Sequence, residues 1–263
     1  MGRRFDPDRA HSWTLTEKGD STTMSPLKVI IFEAQNSLFR RQIKKYFEIK
    51  TWQKMIFLGN SYSGYWFPEF LLNRKGTIWG IGLGHDSSFE FELINQGYEF
   101  YGFEPEINCF VSAKKQFAET SSVIENYGLW DKSGKYHYTG QNISIVNIFG
   151  LKEQSADMLE IRSLWEVASE KNLTHSRSPR ILKLNIEGAE REILLRFLNE
   201  PLDFDVLIFQ AEFLFHLGFK RIREKISAYK DMKKILNGFQ NMEWQIVHFT
   251  RHQITILKKE MLE

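Results

Sequence analysis

Three glycines, Gly80, Gly82 and Gly84, close an apolar run in "TIWGIGLGHDSSFEFEL" (77–93) and stand just before a helical pattern. Glycines at a strand end let the backbone turn left-handed and let a ligand approach the main chain. The chemistry they suggest is nucleotide binding. The dinucleotide fingerprint G-x-G-x-x-G needs a further glycine where His85 stands, counted from Gly80, or where Ser87 stands, counted from Gly82. That argues against a nicotinamide-dependent oxidoreductase. Ser87 and Glu90 are spaced as an S-x-x-E capping box, which predicts a helix starting directly after the glycines. Glu104 ends the next strand, about twenty residues on, where a carboxylate can accept hydrogen bonds from ribose hydroxyls. Strand, turn, capped helix, strand and acid fit an adenosine-containing ligand. A tight turn with no ligand is the competing reading of the glycines taken alone.

A second set of polar residues lies in "ILKLNIEGAEREIL" (181–194) and "VLIFQAEF" (206–213). Glu187 is a candidate general acid or base, and equally an acid favoured at a helix start by the macrodipole. Glu190 reads as compensating the dipole. Lys183 alternates with Leu182 and Leu184, which points to a buried polar pair or to a site. Glu212 closes an apolar strand, a costly place for a carboxylate unless it is paired or functional. His216 could serve as a base, although a lone histidine is more often structural. In the turn itself, Asp86 reads as a helix-start residue and His85 as lining a pocket.

These residues need elements to position them. The pattern predicts strands at 77–83, 98–104, 121–130, 143–149, 180–187 and 204–213, with a hairpin from 121–130 through "DKSG" into 135–139. Helices are expected at 87–97, with Gly97 at the C′ position, and at 106–119, 158–171, 188–200 and 221–238, the last ended by Gly238. "EWQIVHF" and "QITILKK" read as a closing antiparallel pair. Alternating strands and helices imply a mostly parallel sheet covered on both faces, with ligands at the carboxyl edge. The closing pair would add one antiparallel strand. Upstream, 1–26 reads as a flexible tail. Residues 27–76 read as a helical extension, including a basic amphipathic helix at 36–50 and a loop with a short helix at 59–73; the main domain is expected over 77–263.

With these motifs in hand, "WGIGLGHDSSFEFELINQGYEFYGFEPE" and "ILKLNIEGAEREIL" resemble the FkbM family of S-adenosylmethionine-dependent methyltransferases. Lys183, Glu187, Gly188 and Glu190 match that family's K-x-D-x-E-G-x-E pattern, and "NYGLWDKSG" and "GNSYSGYWFP" resemble further segments of it. The resemblance spans about residues 59–258. It implies a Rossmann-like class I methyltransferase fold, α/β, with a seven-stranded mostly parallel sheet and an antiparallel last strand. It implies S-adenosylmethionine as cofactor and a hydroxyl of a sugar or other small-molecule natural product as acceptor. The cofactor-binding set it implies is Gly80, Ile81, Gly82, Gly84, His85, Glu104, Pro105, Gly128 and Leu129; the catalytic set is Glu187, Asn185 and Glu212. Two positions depart from the family: Gly80 stands where an acid is usual, and Asn185 where Asp is common. An amide cannot act as a general base. A methyltransferase-like binding protein without turnover is therefore the alternative. Some related enzymes hold a divalent ion between acids at these strand ends; no strict ligand spacing supports one here, and no metal is expected.

Bulk properties set the remaining bounds. The chain has 263 residues, 42% hydrophobic and 26% charged, with a formal net charge of +2. That balance gives no electrostatic case for a nucleic-acid partner. A single cysteine, Cys109, excludes an intrachain disulfide and suits a reducing compartment. No signal peptide is seen, and the longest apolar stretch is too polar for a membrane span, so a cytoplasmic, membrane-free protein is expected. Oligomeric state is not legible.

Overall fold

The computed structural model of the chain describes residues 54–61, 63–137, 158–186, 188–211, 214, 222–250 and 253–263. The chain divides into compact units at Met1–Ile49 and Lys50–Glu263, and the described residues all belong to the second. The expected tail, the basic helix at 36–50 and the strand at 143–149 lie outside the described residues.

Strands β1 (Met55–Leu58) and β2 (Tyr65–Pro68) pair antiparallel and lead into a 3-10 turn at Glu69–Arg74. The expected helical extension is thus corrected over 54–68, where aromatic and branched side chains suit a pleated, half-buried surface, while the short helix expected within 59–73 is the 3-10 helix at Glu69–Arg74. Tyr65 and Phe67 alternate inward while Trp66 lies half-buried between them. Pro68 sits at the strand end, where no ladder amide is needed. The pair belongs to the same compact unit as the sheet that follows, although the main domain was expected to start at 77.

β3 (Thr77–Ile81), α1 (Ser88–Asn95), β4 (Glu99–Phe103), α2 (Ile107–Gln116) and β5 (Val123–Glu125) follow as expected, with Gly97 just past α1 at φ +90°. Next come β6 (Gly128–Trp130), β7 (Gly134–His137), β8 (Met158–Ser163) and α3 (Leu164–Glu170). The expected strand at 121–130 is broken between β5 and β6, which join different sheets. The expected hairpin across "DKSG" also differs: β8 lies between β6 and β7, parallel to the first and antiparallel to the second. The first half of the expected helix at 158–171 is β8. Its alternating burial is period-two, and Ile161 packs tightly on Gly128.

The chain closes with β9 (Arg180–Leu184), α4 (Glu190–Phe197), β10 (Val206–Phe209), α5 (Ile222–Asn241), β11 (Trp244–Phe249) and β12 (Ile254–Lys258). Gly238 does not end α5. A Cβ there would lie 2.6 Å from Leu198, so this glycine lets the helix pack closely beside the end of α4. The main sheet has seven strands in the order β5-β4-β3-β9-β10-β12-β11. β12 runs antiparallel to both neighbours; the other pairings are parallel. This is the mostly parallel seven-stranded arrangement with an antiparallel last strand that was expected.

Both faces are covered, as a parallel sheet requires. On one face Ile78, Phe100, Ile181, Val206 and Ile208 pack in one core with Phe89 and Leu93 of α1, Phe117 after α2, and Tyr65 and Phe67 of β2. Elsewhere Phe197 of α4, Phe239 of α5 and Trp244 of β11 stack with centroids 5.4–5.9 Å apart. Among the described residues no helix is long and apolar enough to cross a membrane.

At the amino edge one buried carboxylate ties three strands together. Asp205 accepts from the Arg180 backbone at 2.8 Å, the Arg180 guanidinium at 3.1 Å, Ser178 at 2.9 Å and Lys258 at 3.1 Å. Burial alone would raise its pKa; the bonds from Arg180, Lys258 and Ser178 outweigh it and hold the group below the ordinary aspartate value. Its contribution is therefore present above the unfolded pKa and lost as pH falls through the lower folded one. Asp205→Ala is expected to cost about 3 kcal/mol at pH 7, the low end for a broken buried pair because Arg180 and Lys258 stay partly exposed. Urea denaturation at pH 7 and pH 3 checks this: the difference between variant and wild type should shrink at the lower pH.

Candidate functional site

The site is built where β3 and β4 end. Gly82 and Gly84 take left-handed backbone, φ +76° and +60°. Gly82 is also pressed by its neighbour: a Cβ there would lie 2.0 Å from the carbonyl oxygen of Asn185 at the end of β9. Asn185 N–H donates to Ile81 O at 3.0 Å, and Gly82 N–H to Phe103 O at 3.0 Å, so the turn is laced to both neighbouring strands. Gly84 is the opposite case. It is exposed, with no atom beyond its own chain neighbours within 4 Å of where a Cβ would be.

Glu104 faces this turn from the end of β4. Its Oε2 accepts from Leu83 N and Gly84 N, each at 2.9 Å, and its Oε1 from Glu106 N at 2.9 Å. The residue is only 4% exposed. Burial raises its pKa, and the charge of Glu106 adds to this; the three backbone N–H bonds oppose them without cancelling the shift. Glu106 caps α2, accepting from Asn108 N at 3.0 Å and Cys109 N at 2.7 Å. Asn126 closes the corner, its Nδ2 donating to Glu104 O at 3.0 Å.

The helix after the turn starts differently from the capping-box expectation. Ser87 makes no side-chain cap bond. Asp86, read as a helix-start residue, accepts from Ser88 N at 2.9 Å. The loop between β1 and β2 completes the start: Asn60 Nδ2 bonds Asp86, Asn60 N donates to Ser88 Oγ at 3.0 Å, and Gly59 N to Glu92 Oε1 at 2.8 Å. Burial would raise the Asp86 pKa, but the bonds from Asn60, Ser88 and Ser63 hold it low. Glu90 turns inward to Lys183, 2.9 Å away.

The remaining sequence candidates separate clearly. Gly80 and Ile81 are buried within β3, so what they offer a ligand is backbone. His85 is exposed, with its ring 3.6 Å from Cys109 Sγ. Burial and a hydrogen bond to Glu106 push the Cys109 thiol up to about 12, which makes it a poor nucleophile. Pro105 packs against Gly128, which is itself pressed by Ile161, and Leu129 is 2% exposed. From that segment the exposed Asn126 reaches the backbone just past β4 at Glu104 and Pro105, and sequence reasoning missed it. Asn185 lies half-buried beside Gly82. Glu190 accepts from Ile186 N at 2.8 Å and Gly188 N at 2.9 Å, so it organises the loop after β9. Glu187, Glu212 and His216 lie outside the described residues. Among the described residues no group of three His, Cys, Asp or Glu could hold a metal ion.

No family model and no curated protein matches the chain. Solved structures show distant likeness. A chain of the fibrillarin/Nop5p complex aligns at TM-score 0.37 and 10% identity, covering 69% of this chain and 71% of that one. A structure described as a putative rRNA methylase from Clostridium thermocellum aligns at 0.35 and 8%, covering 72% and 91%. A human methyltransferase 10 domain containing protein aligns at 0.33 and 14%, covering 86% and 96%. Likeness this distant transfers neither activity nor substrate, so the functional case rests on strand order and on the turn itself.

The two left-handed glycines give a paired test. Gly84→Ala meets only backbone strain and is expected to cost about 1 kcal/mol. Gly82→Ala adds a collision with the Asn185 carbonyl and is expected to cost at least about 3 kcal/mol. Thermal melts of the two variants side by side check the order.

Proposed function

We propose that the chain is an S-adenosylmethionine-dependent methyltransferase that methylates a hydroxyl on a sugar or other small-molecule natural product, in the manner of the FkbM family it resembles. The observation that carries this is Glu104: a buried carboxylate at the end of β4, aimed at a left-handed glycine turn whose far side, at Gly84, is open. A carboxylate offers about four acceptor positions. Three are taken by backbone N–H groups. The fourth, on Oε1, is left for a ribose hydroxyl while the turn amides stay in place. The residues present therefore fit the adenosine end of the cofactor. Pro105 and Asn126 flank that end, and His85 stands at the turn's exposed rim.

The bound cofactor supplies an electrophilic methyl group on a sulfonium. The chain must align an acceptor oxygen with it, exclude water and take a proton. Asn185 stands at the end of β9, beside the turn, and can hold the acceptor by its amide. Glu187 and Glu212 are the proposed bases. Asn185 also favours a second reading, a binding protein of the same fold without turnover, because an amide there takes no proton. Transfer of label from S-adenosylmethionine to a pool of hydroxylated acceptors, lost in Glu187→Gln, would exclude that reading.

Cofactor binding tests the main proposal through Glu104. S-adenosylhomocysteine should bind with heat measurable by titration below millimolar concentration, and Glu104→Gln should weaken it about 10- to 100-fold, the worth of hydrogen bonds to a charged group. The ionised carboxylate is the accepting form. Affinity should therefore fall as pH drops through the raised pKa of Glu104, above the ordinary glutamate value of about 4.3. The Gln variant should show no such acid limb.

A further inference from the structure

The proposed reaction makes no use of a buried ion pair beneath the turn. Lys183 and Gly80 are direct partners across β9 and β3, so the Lys183 side chain leaves the sheet on the face that a side chain at 80 would occupy. There its Nζ lies 2.9 Å from Glu90 Oε1, with the two side chains 3% and 1% exposed. The contact is charge to charge, because Glu90 Oε1 receives no aligned hydrogen bond. Nζ donates instead to the Gly82 carbonyl at 3.0 Å. The Tyr65 ring covers the ammonium, 5.3 Å from Nζ to centroid. A Cβ on Gly80 would lie 3.3 Å from Glu90 Oε1 and 2.9 Å from Phe100 Cε2. The carboxylate under the turn thus comes from α1, into space that a bare strand position leaves.

A buried ion pair is a weak source of stability. Two dry charges are costly to desolvate, and well-packed apolar residues of like volume often hold a fold as well or better. What an apolar pair cannot supply is the hydrogen bond to the Gly82 carbonyl. That carbonyl and the Leu83 N–H belong to one planar trans peptide and point in opposite directions. Holding the carbonyl towards Lys183 therefore aims the Leu83 N–H away from it, at Glu104. The geometry points to Glu90 and Lys183 as positioning residues: together they set the Gly82–Leu83 peptide, and through it the orientation of Glu104 and the affinity of the adenosine site, without touching the ligand. The effect on affinity rests on the cofactor proposed above; the effect on the turn does not.

The test uses the full chain with Glu90→Leu and Lys183→Met combined, which removes both charges and keeps the volume. The variant should remain folded with a melting temperature close to that of wild type, while the amides of Leu83 and Gly84 exchange hydrogen at least about tenfold faster and β3 amides are unchanged. Titrated S-adenosylhomocysteine should bind about tenfold or more weakly. Glu90→Gln, which keeps the shape of the side chain, is the second variant and should loosen the same two amides. A folded variant of either kind with wild-type exchange at Leu83 and Gly84 overturns the assignment. So does unchanged affinity in a variant whose wild-type parent binds. A wild type that binds no S-adenosylhomocysteine at millimolar concentration removes the cofactor proposal instead, and the exchange comparison still decides the role of the pair.

Discussion

A carboxylate without water must find donors, and Glu104 finds them in the backbone around it. Two amides of the glycine turn and one at the entry to α2 converge on it. The interaction joins the ends of β3 and β4 to the start of the second helix, and its geometry makes demands in turn. The amides at 83 and 84 can face the carboxylate only if the chain turns left-handed at Gly82 and Gly84. The turn can form so close to β9 only because Gly82 lacks a side chain, the Asn185 carbonyl being where a Cβ would go. Burial raises the carboxyl's pKa and the N–H bonds only partly offset it, so the group is poised to gain from further donors. A ligand hydroxyl would be such a donor.

Much of the fold was legible because it repeats local rules. β3, β9 and β10 are near-continuous apolar runs, as strands buried on both faces must be, and each is followed by helical periodicity. The antiparallel last strand could be read from two closing strands joined by a short turn. Where the pattern misled, a non-local partner decided. "MLEIRS" carries both helical and strand spacing, and it became β8 because Gly128 leaves room for Ile161. Gly238 resembles a helix stop, but the helix continues through it since Leu198 needs the space. The segment 54–68 carries aromatic residues that suit either a helix or a strand, and packing against α1 settled it as strands.

The geometry around the turn was legible to the same depth. Glu104 and the glycines stand together, as their spacing implied. Glu90 shows the limit. An acid three residues after a serine is the signature of a capping box, yet the same spacing places it on the buried side of α1 when an ammonium waits there. Lys183, nearly a hundred residues on, supplies that ammonium. Its own signal was present in sequence: a lysine alternating with leucines in a buried strand must have a partner. What spacing could not give was the partner's identity, because that depends on which helix crosses which strand.

The strand pair β1–β2 completes this logic. Tyr65 lies over the Lys183 ammonium and its hydroxyl accepts from Gln210 Nε2, 2.9 Å away just past β10. Trp66 exchanges backbone bonds with the Gln253 side chain, its N–H donating at 2.7 Å and its carbonyl accepting at 2.6 Å. One short segment thus reaches the ends of β9 and β10 and the turn into β12. Without it the buried pair would open to water, and an exposed ammonium has hydration to trade against the Gly82 carbonyl, which weakens its hold on that peptide. The β1–β2 pair is therefore part of what shapes the glycine turn, and a turn that looks like a local motif is held in place by contacts from four separate stretches of chain.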